Sequence, residues 1–204
     1  MYIPNNPTQS VEILRFEAAL AHPDGNNPAW VYIPGFYADY RYILGTSGVN
    51  PLICIGVNTS TAEPEKLDNT LKSVKNIAEG NGYDSFIMLN IYAQRATRPS
   101  DLDEELNNTL HRENMGSFHY TLSHICPNQC PAVWAAWGTM IERRAYLLPC
   151  LQEMAEIAKE YKAKWLCAGS LTKRGHPHHP LYLRKDEKLK EFDIDDYLEQ
   201  LKTK

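Results

Sequence analysis

Lys173, Arg174, His176, His178 and His179 crowd into Lys173-Arg174-Gly175-His176-Pro177-His178-His179-Pro180, the densest run of chemically capable side chains in the sequence. From Leu171 to Lys190, six basic residues (Lys173, Arg174, Arg184, Lys185, Lys188, Lys190) stand against Asp186 and Glu187, a local balance of +4. Such a patch suits an anionic ligand. Three histidines this close could hold a metal, but the prolines keep the segment extended, so His178 and His179 should point apart. The favoured reading is a histidine that donates to a ligand oxygen, with neither metal nor cofactor.

Asn90 is a second candidate. It directly ends the apolar run Phe86-Ile87-Met88-Leu89, where an amide offers two donors and an acceptor to a base edge or to neighbouring backbone. Arg95 and Arg98 follow in the same segment. The third candidate is Gly56-Val57-Asn58-Thr59-Ser60-Thr61, a glycine that permits a tight turn followed by one amide and three hydroxyls. It lacks the glycine spacing of a phosphate loop or a dinucleotide fingerprint. It reads equally as a loop that binds a polar ligand and as a hydrogen-bonded turn with a helix cap. Tyr92 and Tyr182 are candidates for stacking on a base. The four tryptophans read as core, since Trp134, Trp137 and Trp165 lie in apolar runs.

These residues need elements to position them. Leu52-Ile53-Cys54-Ile55-Gly56, Phe86 to Asn90, Ala132 to Gly138 and Lys164 to Gly169 are short continuous apolar runs, the mark of strands buried on both faces. Between them fall a helix capped by Asp68, with Leu71, Val74, Ile77 and Ala78 on one face, a helix from about Asp101 to Ile125 with an acidic start, and a helix through Leu147 to Ala158 bent at Pro149. The alternation predicts an α/β three-layer sandwich around a central parallel sheet of about four strands. Upstream, Val11–Ala19, Trp30–Ile33 and Tyr40–Leu44 read as strands punctuated by Pro23, Gly25, Pro28, Pro34 and Gly35. One domain is expected: an antiparallel extension over 1–50 with little chemistry, an α/β core over 51–185 and a charged tail over 186–204. Every candidate segment follows the carboxyl end of a predicted strand, where an open parallel sheet places its ligand crevice.

Composition bounds the function. The 204 residues are 43% apolar and 23% charged, and a chain of this length buries roughly 70% of its unfolded surface, so a core needs no staple. A formal charge of -4 excludes a protein that coats long nucleic acid, which needs a basic balance to neutralise phosphate, but leaves room for a local site. No apolar run reaches the length of a membrane span, and the start Met-Tyr-Ile-Pro lacks a secretory pattern, so a cytoplasmic location is expected. The five cysteines include Cys126-Pro-Asn-Gln-Cys130, just after His124. With no second ligand pair this reads as a reduced loop rather than a metal site.

In this order, Tyr40-Arg41-Tyr42, Asn58-Thr59-Ser60-Thr61-Ala62, Asp68-Asn69-Thr70, Asn90 to Thr97, Ala136-Trp137-Gly138 and Thr172 to Leu183 resemble the bacterial and phage domain of unknown function 1643 family, with Thr59 where that family usually has proline. More distantly, Gly56-Val57-Asn58, Leu89-Asn90, Trp137-Gly138 and His179-Pro180 resemble the uracil-DNA glycosylase superfamily in motif order. This second resemblance implies a glycosylase-like fold and an N-glycosidic bond hydrolase acting on a modified or mismatched base. Asn58 would then position water, Asn90 would read the base edge and His179 would donate to the carbonyl oxygen of the departing base. An amide at position 58 orients a water without deprotonating it. Gly56, Ser60, Tyr92, Arg95, Lys173 and His176 complete the expected binding set, with Arg95 and Lys173 on phosphate. The expected partner is a nucleobase, a nucleotide or a short nucleic-acid segment, bound either for catalysis or by a non-catalytic nucleotide- or anion-binding module.

Overall fold

The computed structural model describes residues 12–22, 28–96, 98–126 and 130–202. Val11, the turn markers Pro23 and Gly25, and Thr97 lie outside them. The apolar runs form the centre of one seven-stranded sheet: β1 (Trp30–Ile33), β2 (Ile43–Thr46), β3 (Pro51–Thr59), β4 (Ser85–Arg95), β5 (Ala132–Ala135), β6 (Lys164–Ala168) and β7 (Leu189–Glu191), in the order β1-β2-β4-β3-β5-β6-β7. β4, β3, β5 and β6 are mutually parallel, and both edges are antiparallel.

Alternation along β3 assigns its side chains to two cores. Ile53, Ile55 and Val57 join Ile87, Leu89, Val133 and Trp165 on one face. Leu52 and Cys54 join Phe86, Met88 and Trp134 on the other. The second face is covered by α2 (Asn69–Gly80), which buries the expected Leu71, Val74, Ile77 and Ala78 and is capped by the Asp68 carboxylate accepting from the Leu71 amide. The first face is covered by α3 (Asn108–Tyr120) and α4 (Leu147–Glu160), with α1 (Phe16–Leu20) against α3 and α5 (Ile194–Lys202) against α4. Among the described residues, no helix is long and apolar enough to cross a membrane.

Several sequence expectations are corrected. Phe16–Leu20, expected within a strand, is a helix that buries Phe16 and Ala19. Its start is fixed from a distance, since the Phe16 amide donates to the Glu113 carboxylate. The antiparallel front does extend the central sheet, since β2 pairs with β4 (Leu44 opposite Met88, Gly45 opposite Ile87). The acidic cluster from Asp101 precedes α3 rather than opening it. Asn107 caps that helix, and a π turn over Thr121–Ile125 extends it. Pro149 stands in the first turn of α4, where its missing amide hydrogen has no intrahelical role, so no bend is needed. The charged tail pairs as β7 with β6, and α5 buries Ile194, Tyr197 and Leu198 against the core.

The strand order of the parallel quartet reverses at β3, which has β4 on one side and β5 on the other. At such a reversal the crossovers leave a crevice outside the carboxyl ends of the strands. On the opposite side of β4, the pairing with β2 is so close that a Cβ on Gly45 would lie 2.3 Å from the Phe86 carbonyl oxygen. Gly45→Ala is therefore expected to destabilise the fold by about 1–3 kcal/mol through overpacking. Urea denaturation monitored by tryptophan fluorescence measures this, and an unchanged midpoint would contradict the tight pairing.

Candidate functional site

A pocket of about 550 Å³ occupies that crevice. β3 and the residues after it supply Gly56, Val57, Asn58, Ser60 and Thr61, and β4 supplies Met88 and Asn90. The turn after β5 contributes Trp137, Gly138, Thr139 and Met140. His178, His179, Leu181 and Tyr182 close the rim, Asp68, Thr70 and Leu71 bring in the start of α2, and Arg41, Ala96 and Thr172 complete the lining.

Asn90 is 1% exposed, and among the described residues neither its side-chain nitrogen nor its side-chain oxygen has a hydrogen-bond partner. The vacant space beside it is Gly56, its register partner on β3. A Cβ there would stand 2.8 Å from the Asn90 Oδ1 and 2.7 Å from the Met88 methyl. Leaving a buried amide unpaired is expensive, so a wholly buried Asn with both groups free and lining a pocket is poised for a ligand or water.

His179 lines the same pocket. Its Nδ1 accepts from the Leu181 amide at 3.3 Å, which places the neutral ring's hydrogen on Nε2 and makes that atom a donor. Burial pushes the His179 pKa down, while the Asp68 carboxylate opposes the shift. Gly138 makes room for the His179 backbone: its φ is +62°, and a Cβ would lie 3.2 Å from the His179 Cβ and 3.6 Å from the His179 backbone nitrogen. Asp68 faces the pocket between two donors, accepting from the Leu71 amide at 2.8 Å and the Ser60 hydroxyl at 2.5 Å. Asn58 also lines the pocket, but its Nδ2 donates to the carbonyls of Ala96 (2.8 Å) and Thr59 (3.2 Å), tying the end of β3 to the residue after β4 where the β4 side of the ladder bulges. Its Oδ1 is what remains for water or ligand.

Gly56, Asn58, Ser60, Asn90 and His179 are thus brought together. The other four predicted residues stand elsewhere. Tyr92 is fully buried against Tyr146, and its hydroxyl accepts from the Asn107 amide, so it is unavailable for stacking. Tyr182, 77% exposed beside His179 at the rim, remains available. Arg95 lies outside the lining as a strut. It donates to the carbonyls of Ser60 and Ala62 and to the Tyr32 hydroxyl, with its guanidinium 4.4 Å from the Tyr37 ring centroid. Lys173 is exposed and outside the lining.

His176 is fully buried behind the pocket. The Trp137 indole donates to the Tyr197 hydroxyl at 2.9 Å, that hydroxyl meets His176 Nδ1 at 2.8 Å, and Nε2 meets the Glu142 carboxylate at 2.8 Å. Because an indole nitrogen can only donate, the Tyr197 hydroxyl is free to give its own hydrogen to Nδ1, and the ring hydrogen on Nε2 goes to Glu142. Arg174 pairs with the other Glu142 oxygen. This chain moors the 170s loop to α5 and to the turn after β5. Among the described residues, no group of three His, Cys, Asp or Glu side chains is placed to hold a metal.

Sequence reasoning missed Arg41, which is 2% exposed and lines the pocket, in a stretch expected to carry little chemistry. An arginine between two tyrosines in an otherwise apolar run was the available signal. Asp68 was read only as a helix cap, and its second role depends on tertiary placement.

Two outcomes follow from these contacts. Tyr197→Phe leaves the Trp137 indole and His176 Nδ1 without their shared partner and is expected to cost about 1–3 kcal/mol in chemical denaturation. A midpoint equal to wild type would remove the mooring role. For His179, the lowered folded pKa means that the unfolded chain binds its proton first. Its contribution to stability is complete above the unfolded pKa near 6.5 and declines as pH falls below it. Denaturation midpoints at pH 7.5 and 5.5 should differ less in His179→Gln than in wild type.

No curated protein and no solved structure matches the chain. A family model described as "Protein of unknown function (DUF1643)" matches residues 41–181, a span that runs from the buried Arg41 to Leu181 on the pocket rim and takes in all the lining residues except Tyr182. With well over half its length matched, the chain belongs to the DUF1643 family.

Proposed function

We propose that the pocket recognises a nucleobase, presented as a nucleotide or at an accessible position of a short nucleic-acid segment. The observation that carries this reading is the buried, unpartnered amide of Asn90 in the pocket. A carboxamide offers an adjacent donor and acceptor, the complement of a base edge that carries an N–H beside a carbonyl. His179 Nε2 supplies a further donor suited to a base carbonyl oxygen, and the exposed ring of Tyr182 at the rim offers a stacking face. A base with carbonyl oxygens fits this set better than one without.

The same groups support hydrolysis of the N-glycosidic bond. In that reaction the C1′–N bond breaks with its electron pair going to the base, and water adds its oxygen to C1′. One water proton leaves to a base or to solvent, and the departing nitrogen is protonated. A donor at His179 stabilises charge on the leaving base. The Asn58 Oδ1 orients the water, and the Asp68 carboxylate is the acidic group at hand to take its proton. One observation favours binding without catalysis: both Asp68 oxygens already accept hydrogen bonds, so part of the carboxylate's accepting capacity is committed to the protein.

Thermal unfolding with a panel of nucleosides and nucleotides tests recognition, because a ligand selective for the native state raises Tm. A uracil-, thymine- or guanine-type ligand should raise Tm in wild type but not in Asn90→Ala, and the unliganded Tm of that variant shows whether it folds. Equal shifts in both proteins would overturn the assignment of Asn90. Release of free base from the same panel, abolished in His179→Ala, identifies the enzyme; stabilisation without release identifies the binding module.

A further inference from the structure

Arg41 presents a charge problem that the base reading leaves unsolved. Its side chain is buried to 98%, yet among the described residues its guanidinium makes one hydrogen bond, from Nη1 to the Ala62 carbonyl at 2.9 Å, and its Nε is unpartnered. The described ion pairs include none to Arg41. Arg95 adds a second positive charge nearby, donating to the same Ala62 carbonyl from 3.2 Å with its own Nε unpartnered among the described residues. Of the other groups that bear on Arg41 electrostatically, Tyr32 is engaged by Arg95, Tyr37 stands against the Arg95 guanidinium, and the Asp68 carboxylate is hydrogen-bonded to Ser60 and Leu71 and forms no described ion pair with Arg41. Burial, reinforced by Arg95, lowers the Arg41 pKa to about 9, which still leaves it charged at neutral pH. Buried charges are ordinarily paired, and an arginine fork is shaped for a planar or tetrahedral oxyanion.

We infer that Arg41 is the floor of an oxyanion subsite within the pocket, and that the ligand's anionic group is a terminal one, such as the phosphate of a mononucleotide. Two features favour a terminal phosphate over one inside a continuous strand. An internal phosphodiester must leave its site in two directions, and a guanidinium buried to 98% offers no such passage. A pocket of about 550 Å³ is also of the size that encloses one small molecule. The start of α2 opens on the same space through Thr70 and adds the positive end of its dipole. The oxyanion subsite stands on Arg41 alone; that the anion is joined to a nucleobase rests on the reading of Asn90.

Isothermal titration with orthophosphate, ribose 5-phosphate, nucleosides and nucleoside 5′-monophosphates tests the two parts separately. Wild type should bind the preferred monophosphate at least tenfold more tightly than the corresponding nucleoside, and Arg41→Met should bring that ratio close to one. Without ligand, Arg41→Met should be no less stable than wild type, because it removes a buried unpaired charge at similar volume. Should it fail to fold, Arg41→Lys keeps the charge without the fork and should show a reduced ratio. Equal affinity for nucleoside and monophosphate in wild type, or a ratio unchanged in the variants, overturns the subsite and spares the base reading. Binding of orthophosphate, ribose 5-phosphate and every nucleotide with one common affinity sustains the subsite and overturns the base reading. Failure of every ligand to bind overturns both.

Discussion

The site depends on the pairing of β3 with β4 that sets Gly56 opposite Asn90. In a parallel ladder, partners project to the same face, so any side chain at position 56 would occupy the space into which the Asn90 amide extends. The absence of a side chain at one position of a fully buried strand therefore creates the polar end of the pocket. Register is rigidly specified where both faces are buried, because a slip by one residue would exchange the two cores. Packing of Ile53 and Ile55 on one face, and of Leu52 and Cys54 on the other, consequently holds the amide in place.

A second constraint acts through the loop that bears His179. Its Pro177 and Pro180 are buried, and its placement also comes from Gly138 beside the His179 backbone and from the hydrogen-bonded path Trp137, Tyr197, His176, Glu142 behind it. The histidine cluster thus divides its labour. His176 faces inward and fixes the loop, while His178 and His179 line the pocket. Arg95 divides from Arg41 in the same way, one bracing the Ser60–Ala62 turn and the other buried at the pocket floor.

The parallel quartet was legible because strands buried on both faces are continuous apolar runs, and the convergence of Gly56, Asn58, Ser60, Asn90 and His179 was legible because such a sheet gathers its carboxyl ends at one edge. What escaped the sequence was decided by long-range contacts. Whether Phe16 begins a helix depends on Glu113, distant in sequence, and the docking of α5 depends on an indole in the turn after β5. The roles of Tyr92 and Tyr182 could not be separated by residue type or by nearness to a predicted strand end, since one turns toward α4 and the other toward solvent. Arg41 stood out only weakly, as an arginine between two tyrosines. An arginine in a strand-like stretch is normally a solvated edge residue, and only the burial of its whole side chain marks it as unusual.

The mooring of the 170s loop by Tyr197 also bears on the order in which the molecule is made. Every pocket-lining residue precedes position 197 in the chain, so the strands, α2 and the histidine loop all emerge from the ribosome before the hydroxyl that pins them. A nascent chain can assemble the parallel sheet while His176 still lacks one of its two partners. Fixing of the 170s loop against the pocket is thereby left until α5 docks, so the sheet can form before the loop that rims the pocket is held.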